Sequence, residues 1–147
     1  MDADAVTDLI LALFDDVDVV EAWGGKFFYL LPHKDPPDPK DVYFASISLA
    51  DDEHDSASQL DRDGVFRLNV GISRVRFLRL FGAAAMRAEA NRDYAAFDTL
   101  MPHPVYGGAA WVCVVNPSAA TMGSMTGLLE EAYEWARRRR AAARRVD

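Results

Sequence analysis

The sequence has 147 residues, half of them hydrophobic and 27% charged, with a formal net charge of −7, which predicts one soluble globular domain over 1–147. No apolar run approaches the roughly 20 residues of a membrane span, and the acidic start lacks the basic region of a secretory signal. The single cysteine, Cys113, excludes an internal disulfide framework, so we expect a cytoplasmic protein without a membrane partner.

A helix and a β-hairpin are predicted at the N-terminal end. Apolar residues recur at helical spacing over 4–17, which indicates an amphipathic helix. Two β-prone runs follow at 19–23 and 26–31, and Gly24-Gly25 stands between them. Paired glycines between such runs are typical of a hairpin turn, because the primed turns need positive φ.

A third strand is predicted at 42–49, after a proline-rich loop. Its alternation places one set of residues on a common face: Tyr43, Ala45, Ile47 and Leu49. The acidic connection at 51–56 contains His54, and oxygen-rich clusters can hold hard cations. Its spacing lacks the glycine and the distal glutamate of a calcium loop, so we expect a solvated loop and no metal site.

A fourth strand runs through residues 65–72, after a sharp turn at Gly64. Apolar residues alternate with a face that carries Arg67 and Asn69, which predicts a half-buried strand in mid-sheet. A guanidinium fork and an amide on one face could together bind a carboxylate or a phosphate. Alternatively, they pair with an acidic residue of a neighbouring strand or face solvent.

Helical pieces are predicted between the fourth and fifth strands. Ser73 can cap a helix that Gly82 weakens, and 83–90 can continue as a further piece. Asp93 can cap a short helix containing four apolar residues, namely Tyr94, Phe97, Leu100 and Met101.

The loop at 102–108 carries two candidate ligand-binding residues, His103 and Tyr106. A histidine there could act as an acid or a base near neutral pH. The alternative is that it binds backbone groups and holds the loop's shape. No serine or cysteine lies beside it in sequence as a nucleophile, so an enzyme is the less favoured interpretation and no catalytic residue is assigned.

A fifth strand is predicted at 109–115, followed by a long helix. Cys113 lies in this strand and is expected to be a buried small hydrophobe. Asn116 is the expected cap, with Pro117 in the first helical position. The helix should bury one apolar stripe, formed by Met125, Leu128, Leu129, Ala132 and Trp135. The tryptophans of the chain are expected as core or interface anchors: Trp23, Trp111 and Trp135.

The C-terminal end concentrates positive charge. Six arginines lie within the last eleven positions, including the run Arg137, Arg138, Arg139 and Arg140, whereas residues 1–136 hold 10 basic and 22 acidic residues, a net charge of −12. Such a body repels phosphate backbones, so nucleic acid could bind only at these arginines. They could also bind the acidic face of a second copy in a homodimer, or simply complement the helix dipole.

These elements predict an α+β fold. Hairpin-linked strands followed by helices form a twisted antiparallel sheet of about five strands, with the N- and C-terminal helices packed on one face.

Two motifs resemble a family of bacterial proteins known as domain of unknown function 6194: Leu60-Asp61-Arg62 with 64–71, and 102–106 continuing to Trp111-Val112 and 115–117. That family has no established activity. Residues 25–30, Trp111-Val112-Cys113-Val114 and 129–134 are more distantly similar to YjbR-like proteins, whose fold is like that of the frataxin homologue CyaY. That similarity implies a DNA-binding label, from which this chain departs at Ala110 and in its acidic body.

The sequence therefore favours a non-enzymatic module that binds an unidentified small ligand or a protein, without a cofactor. Its expected site is Arg67, Asn69, His103 and Tyr106. The alternative is a nucleic-acid-associated protein that acts through the C-terminal arginines.

Overall fold

The computed structural model describes residues 1–87 and 91–146, and the side chains of the last helix as far as residue 144. The predicted α+β class is confirmed. The helices are α1 (Ala3–Leu13), α2 (Arg74–Phe81) and α3 (Ala119–Val146). The strands are β1 (Val17–Ala22), β2 (Gly25–Leu30), β3 (Tyr43–Ser48), β4 (Arg67–Gly71), β5 (Met101–Pro102) and β6 (Trp111–Val115). They form one antiparallel sheet in the order β1-β2-β3-β4-β6-β5.

One face of the sheet and the two terminal helices enclose the main core. Val6 and Ile10 of α1 and Met122 and Leu129 of α3 are fully buried in the same cluster as the apolar residues of β4 and β6. The predicted stripe of α3 is confirmed except at Trp135, which is 38% exposed. The helices thus cover one face of the sheet, and the opposite face remains for the functional candidates.

The N-terminal hairpin is confirmed, with two corrections to its boundaries. The first helix ends at Leu13 rather than continuing to residue 17, because the chain is already extended at Phe14 and β1 begins at Val17. The turn residues are Trp23 and Gly24, both at positive φ, and Gly25 already pairs with Ala22. The exposed Trp23 is therefore a turn residue and not part of the core.

The predicted faces of β3 are wrong at its first residue. The pairing of β2 and β3 shifts at Phe28 and Tyr29, so that Phe28 pairs with Ala45 but Tyr29 pairs with Tyr43. A bulge leaves one extra residue, Phe44, on the β3 side, and one extra residue reverses the faces beyond it. Tyr43 consequently lies on the sheet face opposite the helices, whereas Ala45 lies in the core.

The predicted helix at 93–101 is wrong. The carboxylate of Asp93 accepts a hydrogen bond from the amide of Ala95 at 3.1 Å, which makes a local turn, and Met101 instead belongs to β5 beside Cys113. Upstream, the Ser73 cap is confirmed, because its hydroxyl accepts from the amide of Arg76. The predicted piece at 83–90 contains a 3-10 turn at Ala83–Met86, and residues 88–90 lie outside the described residues.

The expected cap of the last helix is also wrong. Ser118, not Asn116, accepts the hydrogen bond from the amide of Thr121 at the start of α3. The side chain of Asn116 instead accepts from the amide of Phe66 at 2.9 Å and donates to the carbonyl of Gly64 at 3.1 Å. Asn116 therefore ties the end of β6 to the entry of β4.

Within the described ranges, no helix has the length and apolar character needed to span a bilayer.

Candidate ligand-binding site

The site is built on the sheet face opposite the helices. On β4 this face presents Arg67 and Asn69, and their partners across β3 are Ser48 and Ser46. Polar residues face each other here because successive residues of paired strands alternate in register. The strand was predicted to be half-buried, and that is wrong: every residue of β4 is buried.

Arg67 is held by a carboxylate of the chain itself. Its Nη1 donates to Asp55 Oδ1 at 2.9 Å and its Nη2 donates to Asp55 Oδ2 at 2.5 Å, a bidentate pair. Nη1 also donates to the Ser58 hydroxyl at 3.0 Å, and Nε donates to Asn69 Oδ1 at 2.7 Å. Four N–H groups of this buried guanidinium thus have close acceptors inside the protein, so they are not available to grip an external anion.

The electrostatics of this pair favour the ionised form of both groups. Burial alone would raise the pKa of Asp55, but the hydrogen bonds and the positive charge of Arg67 outweigh it and hold that pKa below its ordinary value. The side chain of Arg67 is 1% exposed and that of Asp55 is 16% exposed. The carboxylate therefore lies between the buried guanidinium and the surface.

Asn69 extends the polar cluster along the strand. Its amide nitrogen donates to the hydroxyl of Ser46 at 3.1 Å and to that of Ser48 at 2.9 Å. The orientation of the amide is fixed, because its oxygen accepts from Arg67. These two serine hydroxyls therefore receive hydrogen bonds from within the cluster and keep their own O–H groups for donation.

His103 closes the cluster from the loop after β5. Its Nδ1 accepts hydrogen bonds from the amides of Val105 and Tyr106, at 3.0 and 2.9 Å, and its Nε2 lies 3.0 Å from Nη2 of Arg67. The residue is 4% exposed. Burial, together with the charge of Arg67, lowers the pKa of His103 to about 3, so the ring is neutral near pH 7.

Aromatic rings surround the polar side chains of this cluster, which form the floor of the site. Tyr43 lies 5.1 Å from Phe27 and 5.7 Å from Trp111, and Tyr106 lies 5.0 Å from His103, all measured between ring centroids. Trp111 can lie against β4 because Gly71 has no side chain: a Cβ there would stand 2.8 Å from the indole. The tryptophan and the glycine are thus paired across two strands.

Together these residues line a concavity of about 260 Å³, which we call the aromatic–polar pocket. Its wall and floor are formed by Phe27, Tyr43, Tyr106, Trp111, Ser46, Ser48, Asn69, His103 and Asp55, with Asp52, His54 and Val105 at its margin. The predicted residues Asn69, His103 and Tyr106 all line it, and the buried Arg67 supports it from behind. The structure therefore brings the four predicted ligand-binding residues together.

A family model for proteins of unknown function, DUF6194, matches residues 1–145. The chain belongs to this family. Neither the search of curated proteins nor the search of solved structures returned a match, so the more distant resemblance to YjbR-like proteins stays a prediction. Membership in DUF6194 confirms the resemblance carried by the two sequence motifs and assigns no activity.

The C-terminal arginines of this DUF6194 chain lie far along α3 and point in several directions. Arg137 lies 3.8 Å from the carboxylate of Glu134, Arg139 lies over the Trp135 ring, and Arg140 donates to a backbone carbonyl of the loop after β2. Arg138 lines a different hollow beside α2. The four arginines do not form a single surface.

Cys113 and His54, two further residues considered in the sequence, have different surroundings. Cys113 is buried as expected, and burial raises the pKa of its thiol to about 12. The side chain of His54 is 84% exposed, in agreement with a solvated loop. Across residues 1–87 and 91–146, no three histidine, cysteine or acidic side chains converge as a metal site would require.

The sequence did not reveal Asp55 or Ser58 as parts of the site, and of the aromatic wall it predicted only Tyr106, not Phe27, Tyr43 or Trp111. Asp55 lies in the acidic loop that the sequence predicts to be solvated, twelve residues before Arg67. A buried arginine needs a carboxylate nearby, and this requirement was the one available signal for Asp55. The two β3 serines had a clearer signal, because they alternate with Ala45 and Ile47 in an otherwise apolar strand.

Proposed function

We propose that this chain is a binding module that holds a small flat ligand in the aromatic–polar pocket. The observation that carries the proposal is the union of an aromatic wall and a buried polar floor in one concavity of about 260 Å³. Small-molecule sites are typically concave and largely apolar, with a few fixed polar groups that orient the ligand. Since such sites usually measure roughly 300–1,000 Å³, this volume suits a molecule of one or two rings.

The rigidity of the floor supports the same proposal. Asn69 is oriented by Arg67, and Arg67 is held in turn by Asp55 and Ser58. A ligand therefore meets side chains that are already fixed, and binding loses little side-chain entropy. The polar groups that remain available to it include the hydroxyls of Ser46 and Ser48, which accept from Asn69 and keep their own O–H groups.

The chemistry of the pocket favours binding over catalysis. An efficient general acid or base has a pKa near the working pH, whereas that of His103 is lowered to about 3. The thiol of Cys113 has its pKa raised to about 12 and is fully buried. Both observations support a non-enzymatic role for these residues.

The proposal is tested by titrating a library of one- and two-ring compounds, cationic, neutral and anionic, into ¹⁵N-labelled full-length chain. We expect binders to shift the indole N–H signal of Trp111 and the side-chain amide signals of Asn69. The Tyr106→Ala variant removes a wall residue that is 57% exposed and should weaken binding several-fold. Phe97→Ala removes an aromatic of similar exposure, 49%, outside the pocket and should bind as the wild type does. A library without binders at these signals refutes the proposal.

A second candidate is nucleic-acid binding at a groove between α3 and the proline-rich loop. This groove measures about 570 Å³ and joins basic residues that are distant in sequence: Lys34, Lys40, Arg139, Arg140 and Arg144. Asp38 and Asp41 also line it, and Lys34 lies 3.0 Å from Asp38. The acidic body of the chain opposes this candidate, which therefore ranks second.

Labelled single-stranded DNA at about 50 and about 200 mM salt tests the second candidate, because phosphate-driven affinity falls steeply over that range. If the groove binds DNA, the double variant Arg139→Gln/Arg144→Gln loses most of the affinity. The matched variant Arg137→Gln/Arg138→Gln removes the same charge outside the groove and should lose less. Absence of salt-sensitive binding, or equal losses in both variants, rejects the groove.

A further inference from the structure

The wall of the aromatic–polar pocket is made of rings that are inclined to one another. The rings of Phe27 and Tyr43 meet at 82° with their centroids 5.1 Å apart, and those of Tyr43 and Trp111 meet at 49° and 5.7 Å. Tyr106, which is 57% exposed, adds a further ring beside His103. Rings arranged in this way do not form one flat platform, so a ligand in the concavity is bordered by aromatic surface in more than one direction.

The charged groups of the pocket are acidic. Of the described residues that line it, Asp52 and Asp55 carry carboxylates, and none is a lysine or an arginine. His103 adds no positive charge near pH 7, because its pKa is lowered to about 3. The guanidinium of Arg67 lies behind the floor and is paired with Asp55, so it offsets only one of the two carboxylates.

The carboxylate of Asp52 is the one that keeps its negative charge. It accepts a hydrogen bond from the amide of His54 at 2.8 Å, and no lysine or arginine of the described ranges forms an ion pair with it. Asp52 is exposed at the margin of the pocket. The net charge of −12 over residues 1–136 adds a field of the same sign, which attracts cations towards this part of the molecule.

The strong hydrogen-bond donors that an anion would need are already committed. Four N–H groups of Arg67 have acceptors within the protein, and Asn69 donates to Ser46 and Ser48. By contrast, each oxygen of Asp55 accepts one hydrogen bond from Arg67, and a carboxylate oxygen can accept two. The polar side of the pocket therefore offers acceptors and negative charge, and opposes an anionic ligand.

We infer that the aromatic–polar pocket binds a flat organic cation, such as an alkylated pyridinium, with Asp52 as its counter-ion and the rings of Tyr43, Tyr106 and Trp111 around it. The inference rests on the proposed function and specifies its ligand class. A cation over an aromatic ring is attracted by the negative face of that ring, and this attraction is strongest where water is excluded. The aromatic wall and the uncompensated carboxylate thus favour the same sign of charge.

The test compares three flat one-ring probes, namely N-methylpyridinium, toluene and benzoate, titrated into ¹⁵N-labelled full-length chain and followed at the Trp111 indole signal. The solution is held at about pH 7.5, above the ordinary histidine pKa of about 6.5. N-methylpyridinium and toluene have the same shape and differ in charge, and neither donates an N–H or O–H hydrogen bond. We expect N-methylpyridinium to bind about tenfold more tightly than toluene, and benzoate to bind most weakly.

Variants locate the source of this preference. Asp52→Asn removes the charge but keeps an oxygen that can accept from the amide of His54, so it should weaken N-methylpyridinium several-fold and leave toluene unchanged. Glu53→Gln removes the same charge from a neighbouring side chain that is 85% exposed and does not line the pocket, and it should keep most of the affinity. Tyr106→Leu keeps apolar bulk without the ring, and should weaken N-methylpyridinium more than toluene.

The outcomes separate this inference from the proposed function. If toluene or benzoate shifts the Trp111 signal and binds at least as tightly as N-methylpyridinium, the pocket is a binding site but the cation preference is wrong. Equal losses of N-methylpyridinium affinity in Asp52→Asn and Glu53→Gln also overturn the inference, because the charge then acts from a distance and not inside the pocket. If the compound library and all three probes fail to bind, both proposals fail.

Discussion

Removing the two partners of the Arg67–Asp55 pair should have unequal effects on stability. The Asp55→Ala substitution deletes both oxygens that receive the guanidinium, at 2.9 and 2.5 Å, and leaves a positive charge on a side chain that is 1% exposed. Stranding a buried charge in this way typically costs about 3–5 kcal/mol. For a chain of this size, where 1 kcal/mol corresponds to about 2–4 °C, the expected fall in Tm is roughly 6–20 °C.

The Arg67→Met substitution instead leaves the negative charge of Asp55, which is less buried than Arg67. The Asp55 side chain is 16% exposed and lies at the margin of the pocket, so its carboxylate can reach water when the guanidinium is gone. The remaining cost comes from hydrogen bonds lost at Asn69 and Ser58, at about 1–3 kcal/mol in total. The double variant should be no less stable than Asp55→Ala alone, because it contains neither charge.

The assay is urea unfolding of the wild type, the two single variants and the double variant at pH 7, with the free energies combined in a double-mutant cycle. Additive effects, within about 0.5 kcal/mol, would show that the two side chains are not coupled. A larger loss for Arg67→Met than for Asp55→Ala would contradict the argument from exposure. Either result refutes the reasoning.

Two further predictions concern pH dependence and packing. The ring of His33 hydrogen-bonds the carbonyl of Lys34 and the carboxylate of Asp18, and both contacts raise the pKa of His33. The stabilisation that these contacts provide should be complete below the unfolded pKa of about 6.5 and should be lost as pH rises through the folded pKa. A pH series of urea unfolding should show this loss in the wild type and not in His33→Gln. The Gly71→Ala substitution puts a methyl 2.8 Å from the Trp111 indole and should destabilise by about 1–3 kcal/mol while shifting the tryptophan fluorescence, whereas Gly123→Ala, on the exposed side of α3, should leave that fluorescence unchanged and slightly raise Tm.

The sequence predicted those parts of the fold that depend on local periodicity. The alternation over 65–72 predicts the faces of β4 correctly and places Arg67 and Asn69 on one side of the strand. The apolar stripe of α3 was likewise correct, apart from Trp135 at its end. Patterns with a period of two or 3.6 report which face of an element is buried, and they do so without information from distant residues.

The errors arose where distant pairing overrides local pattern. A single bulged residue in β3 turned Tyr43 from the predicted core face into the pocket wall. The apolar residues at 94–101 have helical spacing, yet Met101 pairs with β6 and the amide of Asp98 donates to the carbonyl of Val115. The register of a strand depends on its partner, and partners that are distant in sequence are not visible in a local pattern.

Asp55 was missed for the same physical reason. Its acidic neighbours Asp52 and Glu53 gave the loop the appearance of a solvated connection, and nothing local distinguishes the one carboxylate that turns inward. The requirement for a buried acidic partner comes from Arg67, because Arg67 lies in a strand that is buried on both faces and cannot remain unpaired there. In a chain with 23 acidic residues, that requirement states that a partner exists without identifying it.

Stability alone does not explain the polar cluster beneath the pocket. Well-packed apolar residues in place of a buried ion pair are often neutral or stabilising, so this face of β4 could be filled without Arg67, Asp55 and Asn69. The cluster does, however, fix a ring of donors and hydroxyls under an aromatic wall, and an apolar core could not provide that. Under the proposed function, the cluster serves to present fixed polar groups to a ligand rather than to stabilise the fold. A double apolar variant that folded as stably as the wild type but no longer bound the ring compounds that bind the wild type would separate those two roles.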